Sequence, residues 1–395
     1  MSEIRVNNLS NESLSGGPTI SGITTFSSPY FFVPPQGDTA SRPQSCPSGS
    51  LRFNTDSAKL EYYRGNTIGW VEVEAEPASD VLGGGGTGSN TGLGHRGLFK
   101  TGQRAPSAGS YSEKIDYITI STLGNSEEFG DVSTSRSGNP GLSSRTRAVI
   151  GAGYGPSDQI EFVTMASKGN ATDFGDDVGT SNRATGVSNG TRGIFAGSSE
   201  ISPGNVIRYA TIASTGNFID FGDLTQGSRS GLGGAASTVR GVFAGGGASD
   251  VEYNTIDYVT IASTGDATDF GDLTYVKTSG VGGGSNATRC IWWGGNDTPG
   301  YSNVKTIVYN TIATTGNSID FGEITATNTA NGSAMPDGTR CVMKLGSGDG
   351  GNTTTTNVIE FIQFATTGNA TDFGDSVLQT YSASRGTMSS AHGGL

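Results

Sequence analysis

The stretch T-I-D-Y-V-T-I-A-S-T-G-D-A-T-D-F-G-D, Thr255 to Asp272, decides how this chain folds. Its opening run reads as a β-strand, with Ile256, Tyr258 and Thr260 on one face. Thr264-Gly265-Asp266 is a tight turn, because glycine supplies a positive φ without steric cost. Ala267 to Leu273 then returns as a second strand that carries Phe-Gly-Asp. The same figure occurs six times. Its first isoleucines are Ile115, Ile160, Ile207, Ile256, Ile307 and Ile359, and its phenylalanines are Phe129, Phe174, Phe221, Phe270, Phe321 and Phe373.

Working outward, each copy is preceded by an arginine that opens an apolar run: Arg96, Arg147, Arg192, Arg240, Arg289 and Arg340. Isoleucine to phenylalanine is 14 positions in all six copies, and phenylalanine to the next arginine is 18 or 19. Arginine to isoleucine ranges from 13 to 19, so the length variation falls in one loop. Each copy resolves into four short strands. In the fourth they are Gly231 to Ser237, Arg240 to Gly246, Thr255 to Ser263 and Ala267 to Leu273. A meander of this size cannot bury both of its faces alone, whereas six packed radially can. The expected fold is therefore all-β: a six-bladed β-propeller of four-stranded blades over residues 95–395. The third-strand aromatics Tyr117, Phe162, Tyr209, Tyr258, Tyr309 and Phe361 are expected to pack between blades, with the Phe-Gly phenylalanines. Residues 385–391 occupy the phase of a first strand, so they are expected to pair beside Arg96 to Gly102 and close the ring.

These residues give the repeat a resemblance to kelch-type propellers: a small-residue strand, an apolar strand ending Gly245-Gly246 or Gly294-Gly295, a strand with a tyrosine, and an aromatic in the last strand. Phenylalanine stands where that family has a fourth-strand tryptophan. The resemblance implies the fold and says little about function.

Residues 1–80 do not repeat. Gly49 to Thr55, Lys59 to Gly65 and Gly69 to Val73 read as three strands joined by turns at Thr55-Asp56 and Gly65-Asn66. They are expected to form a small N-terminal β module, with a Gly-rich linker over residues 81–94. Residues 48–74, G-S-L-R-F-N-T-D-S-A-K-L-E-Y-Y-R-G through W-V-E-V, resemble a β module of tailed-bacteriophage virion proteins, notably tail fibres and other appendages. That resemblance implies attachment to other virion proteins through residues 1–80 and a homo-oligomer, a trimer favoured, with the propeller meeting a glycan or protein of the host surface. The alternatives are a capsid, neck or baseplate decoration protein, a cellular kelch-like adaptor, and last a glycan-degrading enzyme.

Composition narrows the partners. A formal net charge of −12 with no basic patch argues against nucleic acid. No apolar run is long enough to suggest membrane insertion. Two histidines, His95 and His392, near the expected closure are too few for the usual hydrolytic or metal constellations. No catalytic residue, metal site or cofactor is expected. Cys46, Cys290 and Cys341 have no disulfide or zinc spacing, and the last two are expected to be buried free thiols. The acidic set Asp131, Asp176, Asp223, Asp272, Glu323 and Asp375 either rings cations or caps turns through its own side chains. The repeated arginines are expected to pair with carboxylates between blades. The ligand- or receptor-binding candidates lie in the variable loops: Tyr111, Tyr154, Asp158, Asp250, Tyr253, Asp297 and Tyr301. Exposed tyrosines and short polar groups suit saccharide or protein recognition.

Overall fold

The computed structural model describes residues 34–57, 59–73, 95–102, 110–155, 157–248, 251–274, 278–297, 304–325, 330, 332–346, 356–380 and 385–391. The structure is all-β, with no helix among the described residues. The chain divides into two compact units, Met1–Glu76 and Pro77–Leu395. The expected linker at 81–94 lies outside the described residues.

In the first unit, Leu51–Asn54, Lys59–Tyr63 and Trp70–Val73 form an antiparallel meander. A short strand not foreseen from the sequence, Gln36–Gly37, adds parallel to Leu51–Asn54. Glu61 is fully buried and takes Arg42 at 2.6 Å and Arg52 at 3.3 Å. The Arg52 guanidinium lies over the Trp70 ring.

In the second unit the copies fold alike. The fourth has Gly233–Ala236, Arg240–Ala244, Thr255–Thr260 and Thr268–Asp272 in consecutive antiparallel order. Where the third and fourth strands pair, the register slips between Ile256 and Asp257, a β-bulge beside the Phe-Gly step. The same slip recurs in the other copies. In the first copy Arg96–Lys100, Lys114–Thr119 and Glu127–Asp131 form three strands of one sheet. The missing neighbour of Arg96–Lys100 comes from the other end of the unit. Leu98 N–H donates to Met388 O at 2.9 Å, Ser390 N–H donates to Arg96 O at 2.9 Å, and Gly97 bridges Ser389. Residues 388–390 thus lie beside Arg96–Leu98 as the phase of the repeat predicts, but Arg385–Thr387 pair with other strands and add no fourth strand to this sheet.

The apolar core lies between copies rather than within them, because each meander has two faces to cover. One cluster joins Ile207, Phe221 and Leu224 of the third copy to Phe243, Val259 and Ile261 of the fourth. Equivalent clusters join the other consecutive pairs, and one joins Phe99, Ile118 and Ile120 of the first copy to Val342, Ile359 and Phe373 of the sixth. Within each copy the third-strand aromatic meets the Phe-Gly phenylalanine edge-on, at 5.9 Å for Tyr258 and Phe270.

Polar contacts repeat with the same period. The turn glycine of each copy donates its N–H to the preceding copy's Phe-Gly carbonyl, as Gly316 does to Phe270 O at 2.7 Å. Gly124 of the first copy does the same to Phe373 O of the sixth, at 2.9 Å. The repeated arginines correct the sequence reading. They reach the next copy, but bind a main-chain carbonyl rather than a carboxylate. Arg96 donates to Met165 O, Arg147 to Ile212 O, Arg192 to Ile261 O, Arg240 to Ile312 O, Arg289 to Phe364 O and Arg340 to Ile120 O. Each guanidinium also lies over its own copy's third-strand aromatic, as Arg240 does over Tyr258 at 4.7 Å. The acidic set is likewise corrected. The N–H of Asp131, Asp176, Asp272, Glu323 and Asp375 donates to a turn asparagine of the following copy, and that of Asp223 to Asp266. The recurring contact is made by the backbone of the acidic residue, not by its carboxylate.

A last feature positions any site. Residues Arg385–Thr387 run parallel to the first strands of the second and sixth copies, Pro140–Ser143 and Ser333–Pro336. They also touch the first strands of the third, fourth and fifth copies. Gly386 is buried among these strands: a Cβ there would lie 2.5 Å from Gly186 O and nearer still to Gly141 O. The space among the first strands is thus filled by backbone at this level.

Candidate functional site

In an antiparallel meander the second-to-third-strand loops and the fourth-to-first connections emerge on the same side of each unit. Length variation and turn chemistry both concentrate there, so this loop face is where binding groups are sought.

The structure brings two of the seven sequence candidates together. Tyr111, from the loop of the first copy, and Tyr154, from that of the second, meet edge-on with ring centroids 6.0 Å apart. Tyr154 is 48% exposed and Tyr111 half-buried. The backbone below them is fixed: Tyr154 N–H donates to Ser137 O at 2.7 Å, and Gly153 N–H to Ser181 Oγ at 3.4 Å. Asp158 is exposed, with its carbonyl accepting Asp177 N–H. Tyr253 stands apart from the pair in sequence and environment: it is half-buried, and the Arg229 guanidinium lies over its ring at 5.9 Å. Asp250 and Tyr301 lie outside the described residues, and for Asp297 the description extends to its backbone, which pairs with Thr278. His95 is half-buried, its carbonyl accepting Ile120 N–H, and His392 lies outside the described residues.

Several buried charged side chains are committed to ion pairs between a connection and the copy it leads into or leaves. Arg136 donates to Glu161 at 2.7 Å, Arg208 sits 2.9 Å from Asp177, and Arg229 pairs with Asp257, all of them buried. Lys100 donates to Arg136 O, and Lys344 to Leu345 O and Thr356 O. Burial pulls both ammonium groups down to about 7. Desolvation raises the buried Asp116 carboxyl to about 6, against the Ser126 hydroxyl that donates to it. Cys290 and Cys341 are free and fully buried, and desolvation drives their thiols upward, away from the reactive thiolate. Among the described residues no three His, Cys, Asp or Glu side chains gather as a metal site would require.

One residue escaped the sequence reading. The position two before each first strand is Gly138, Arg183, Gly231 and Gly280 in the second to fifth copies, with φ of 66°, 59°, 74° and 83°. The main chains of these residues form a hydrogen-bonded series: Arg183 N–H to Gly138 O at 2.9 Å, Gly231 N–H to Arg183 O at 2.7 Å, and Gly280 N–H to Gly231 O at 2.8 Å. The third copy alone of these four carries a side chain at a left-handed position, and that side chain is exposed. Aligning the copies on their first strands would have exposed the break in the glycine phase.

A scan against protein-family models matches no family, and no curated protein matches the chain.

Proposed function

We propose that residues 95–395 form a six-bladed β-propeller closed by residues 385–391, in a virion structural protein of a tailed bacteriophage. On this reading the chain is a tail-fibre or similar appendage subunit. It assembles as a homo-oligomer, a trimer favoured, attaches to other virion proteins through residues 1–80, and meets the host surface with the loop face of the propeller. The observation that carries the architecture is the return of every repeating contact. The glycine-to-carbonyl bond, the arginine strap and the apolar cluster each have a member joining the sixth copy to the first. The virion assignment is supported by the likeness of residues 48–74 to phage appendage modules.

The role is binding rather than catalysis. The buried carboxylates Glu161, Asp177 and Asp257 are tied into ion pairs with the arginines Arg136, Arg208 and Arg229, whereas the loop face presents the Tyr111–Tyr154 pair and short polar groups. The test is to offer the purified full chain to host cells and to their envelope polysaccharide. Adsorption without cleavage is the expected result, and release of saccharide fragments would overturn the non-enzymatic reading. Labelling this chain on intact particles places it on the tail appendage; label on the capsid, neck or baseplate would favour a decoration protein, and label absent from particles a cellular adaptor.

A further inference from the structure

The sheet of the first unit has two unlike faces. Residues paired across neighbouring strands project from the same side of a sheet, and successive residues from opposite sides. The pairs Arg52–Glu61, Asn54–Lys59 and Tyr63–Trp70 therefore share one face. The pairs Leu51–Tyr62, Phe53–Leu60 and Tyr62–Val71 share the other. The polar face is the covered one. Residues 38–43 lie across it: Arg52 donates to Asp38 O at 2.9 Å, Asn54 Nδ2 donates to Thr39 Oγ1 at 3.1 Å, Arg42 pairs with Glu61, and Trp70 Nε1 donates to Pro43 O at 3.0 Å. Arg52, Asn54, Glu61 and Tyr63 are buried beneath them.

The apolar face is the unfinished one. Leu51 is 50% exposed, and Phe53, Leu60, Tyr62 and Val71 are half-buried. The apolar clusters among the described residues all lie in the second unit, so this face belongs to none of them. A sheet this small needs its apolar face packed against something to be stable in water.

Area and the chain itself decide what covers it. Three strands about 4.8 Å apart, each of four or five residues at about 3.4 Å per residue, offer a face of roughly 250 Å². Separate chains bury ~800 Å² each in a stable interface, so a second copy gains too little here. A segment of the same chain escapes that requirement, because its approach is intramolecular. Residues 1–33 belong to the same compact unit as the sheet. They enter it beside the face, where Pro35 O accepts Phe53 N–H at 2.7 Å. The ten residues just before Pro34, T-T-F-S-S-P-Y-F-F-V from Thr24 to Val33, hold Phe26, Tyr30, Phe31, Phe32 and Val33 and no charge. Extended, ten residues reach ~33 Å, enough to cross three strands.

We propose that Thr24 to Val33 pack across Leu51, Phe53, Leu60, Tyr62 and Val71 of the same chain and complete the core of the first unit. The inference goes beyond the virion reading and holds whether or not residues 1–80 attach to a particle. It removes this face from the surfaces through which such an attachment runs.

The test is a photo-cross-link in the full chain, with p-benzoylphenylalanine in place of Tyr62 at the centre of the face. Irradiation is expected to give an adduct that runs as a monomer on a denaturing gel and maps by mass spectrometry to residues 24–33. Phe31→Ser combined with Phe32→Ser is expected to abolish that adduct. An adduct in a dimer band would give the face to a second copy, and one mapped elsewhere on the same chain would give it to that part; either result overturns the proposal, as does a folded protein that forms no adduct. Hydroxyl-radical footprinting of the unsubstituted chain reads the same face without the probe. Leu60 and Tyr62 are expected to be protected equally at high and low protein concentration, and to gain reactivity in the Phe31→Ser, Phe32→Ser chain. Protection lost on dilution, or reactivity that the two serines leave unchanged, overturns the inference.

Discussion

Replacing Gly271 by alanine isolates the contact that the Phe-Gly motif exists to permit. Gly271 has φ of +143°, a conformation alanine adopts at a cost of ~1–3 kcal/mol. A Cβ there would also stand 2.5 Å from Gly316 O, 2.6 Å from Gly316 C and 3.0 Å from Asn317 N, all backbone atoms of the next copy. The turn that must retreat is the one whose Gly316 N–H donates to Phe270 O at 2.7 Å, and whose Asn317 side chain accepts Asp272 N–H at 3.0 Å. Weakening two such bonds costs about 0.5–1.5 kcal/mol each. Gly271→Ala is therefore expected to lose ~2–6 kcal/mol. Gly265→Ala is the control: its φ is +149°, but nothing lies within 4 Å of its Cβ, so it should lose only the conformational part. Urea unfolding of the two variants, compared at equal m-value, reads the difference directly. Equal losses would refute the reasoning, because the unit-to-unit approach would then contribute nothing.

Four further outcomes follow from the contacts of the repeat and its buried charges. Arg240→Ala removes both the bond to Ile312 O at 3.0 Å and the stack on Tyr258, and should cost ~2–3 kcal/mol in chemical denaturation; Arg240→Lys should recover less than half, because an ammonium has no flat face for the ring. Deleting residues 385–395 strips the first copy of its Met388 and Ser390 bonds and empties the place of Gly386, so circular dichroism should show the repeat unit melting far below the intact chain; equal melting would sink the closure by residues 385–391. Lys100 and Lys344 fall to about 7 when buried, against 10.5 when unfolded, so from pH 7 towards 10 the unfolded chain holds protons that the folded chain lacks. Stability should therefore rise with pH across that window, by about 1.4 kcal/mol per pH unit per lysine, and Lys344→Met should flatten the slope by half. Asp116, raised to about 6, acts oppositely and lower: between pH 4 and 6 its folded carboxyl keeps a proton that the unfolded one has lost, so its contribution falls as pH rises.

The sequence disclosed the elements whose cause is periodic. Constant spacing from Ile256 to Phe270, and its five equivalents, reflects a bulged strand pair and turn that tolerate no insertion. The phase of residues 385–391 disclosed the contact of residues 388–390 with Arg96–Leu98 across the length of the unit, but not the parallel pairing of Arg385–Thr387 with the second and sixth copies. What stayed hidden depends on groups that carry no side-chain signature. The arginine straps end on carbonyls, which every residue owns, so no acidic partner could be found in the repeat. Gly386 shows its role only once five first strands surround it. The loop candidates were drawn by residue type alone, since variable loops have no period. Hence Tyr111 and Tyr154 meet while Tyr253 answers to Arg229, and nothing in the spacing separates the two cases.

Near-identical copies raise a problem that the buried charges address. If every joint were alike, a copy could pair with the wrong neighbour at little cost. The position after the first isoleucine of the third strand breaks that degeneracy. It is Asp116, Glu161, Arg208, Asp257, Val308 and Glu360 in order, buried in each copy. Its partner from the preceding connection changes to suit. Arg136 meets Glu161 and Arg229 meets Asp257, but between them Asp177 meets Arg208, with the polarity reversed. At Val308 no charge is needed, and Thr274 N–H turns to Ser318 Oγ at 2.9 Å instead; at Glu360 the partner is Thr325. A buried charge without its opposite costs several kcal/mol, far more than a matched buried pair gains over an apolar one. The third copy placed after the first, or after the third itself, would set Arg208 against Arg136 or Arg229. The pairs therefore contribute little to total stability and much to the order of the copies: the shared sequence builds one kind of joint, and a single variable position decides which copies make it.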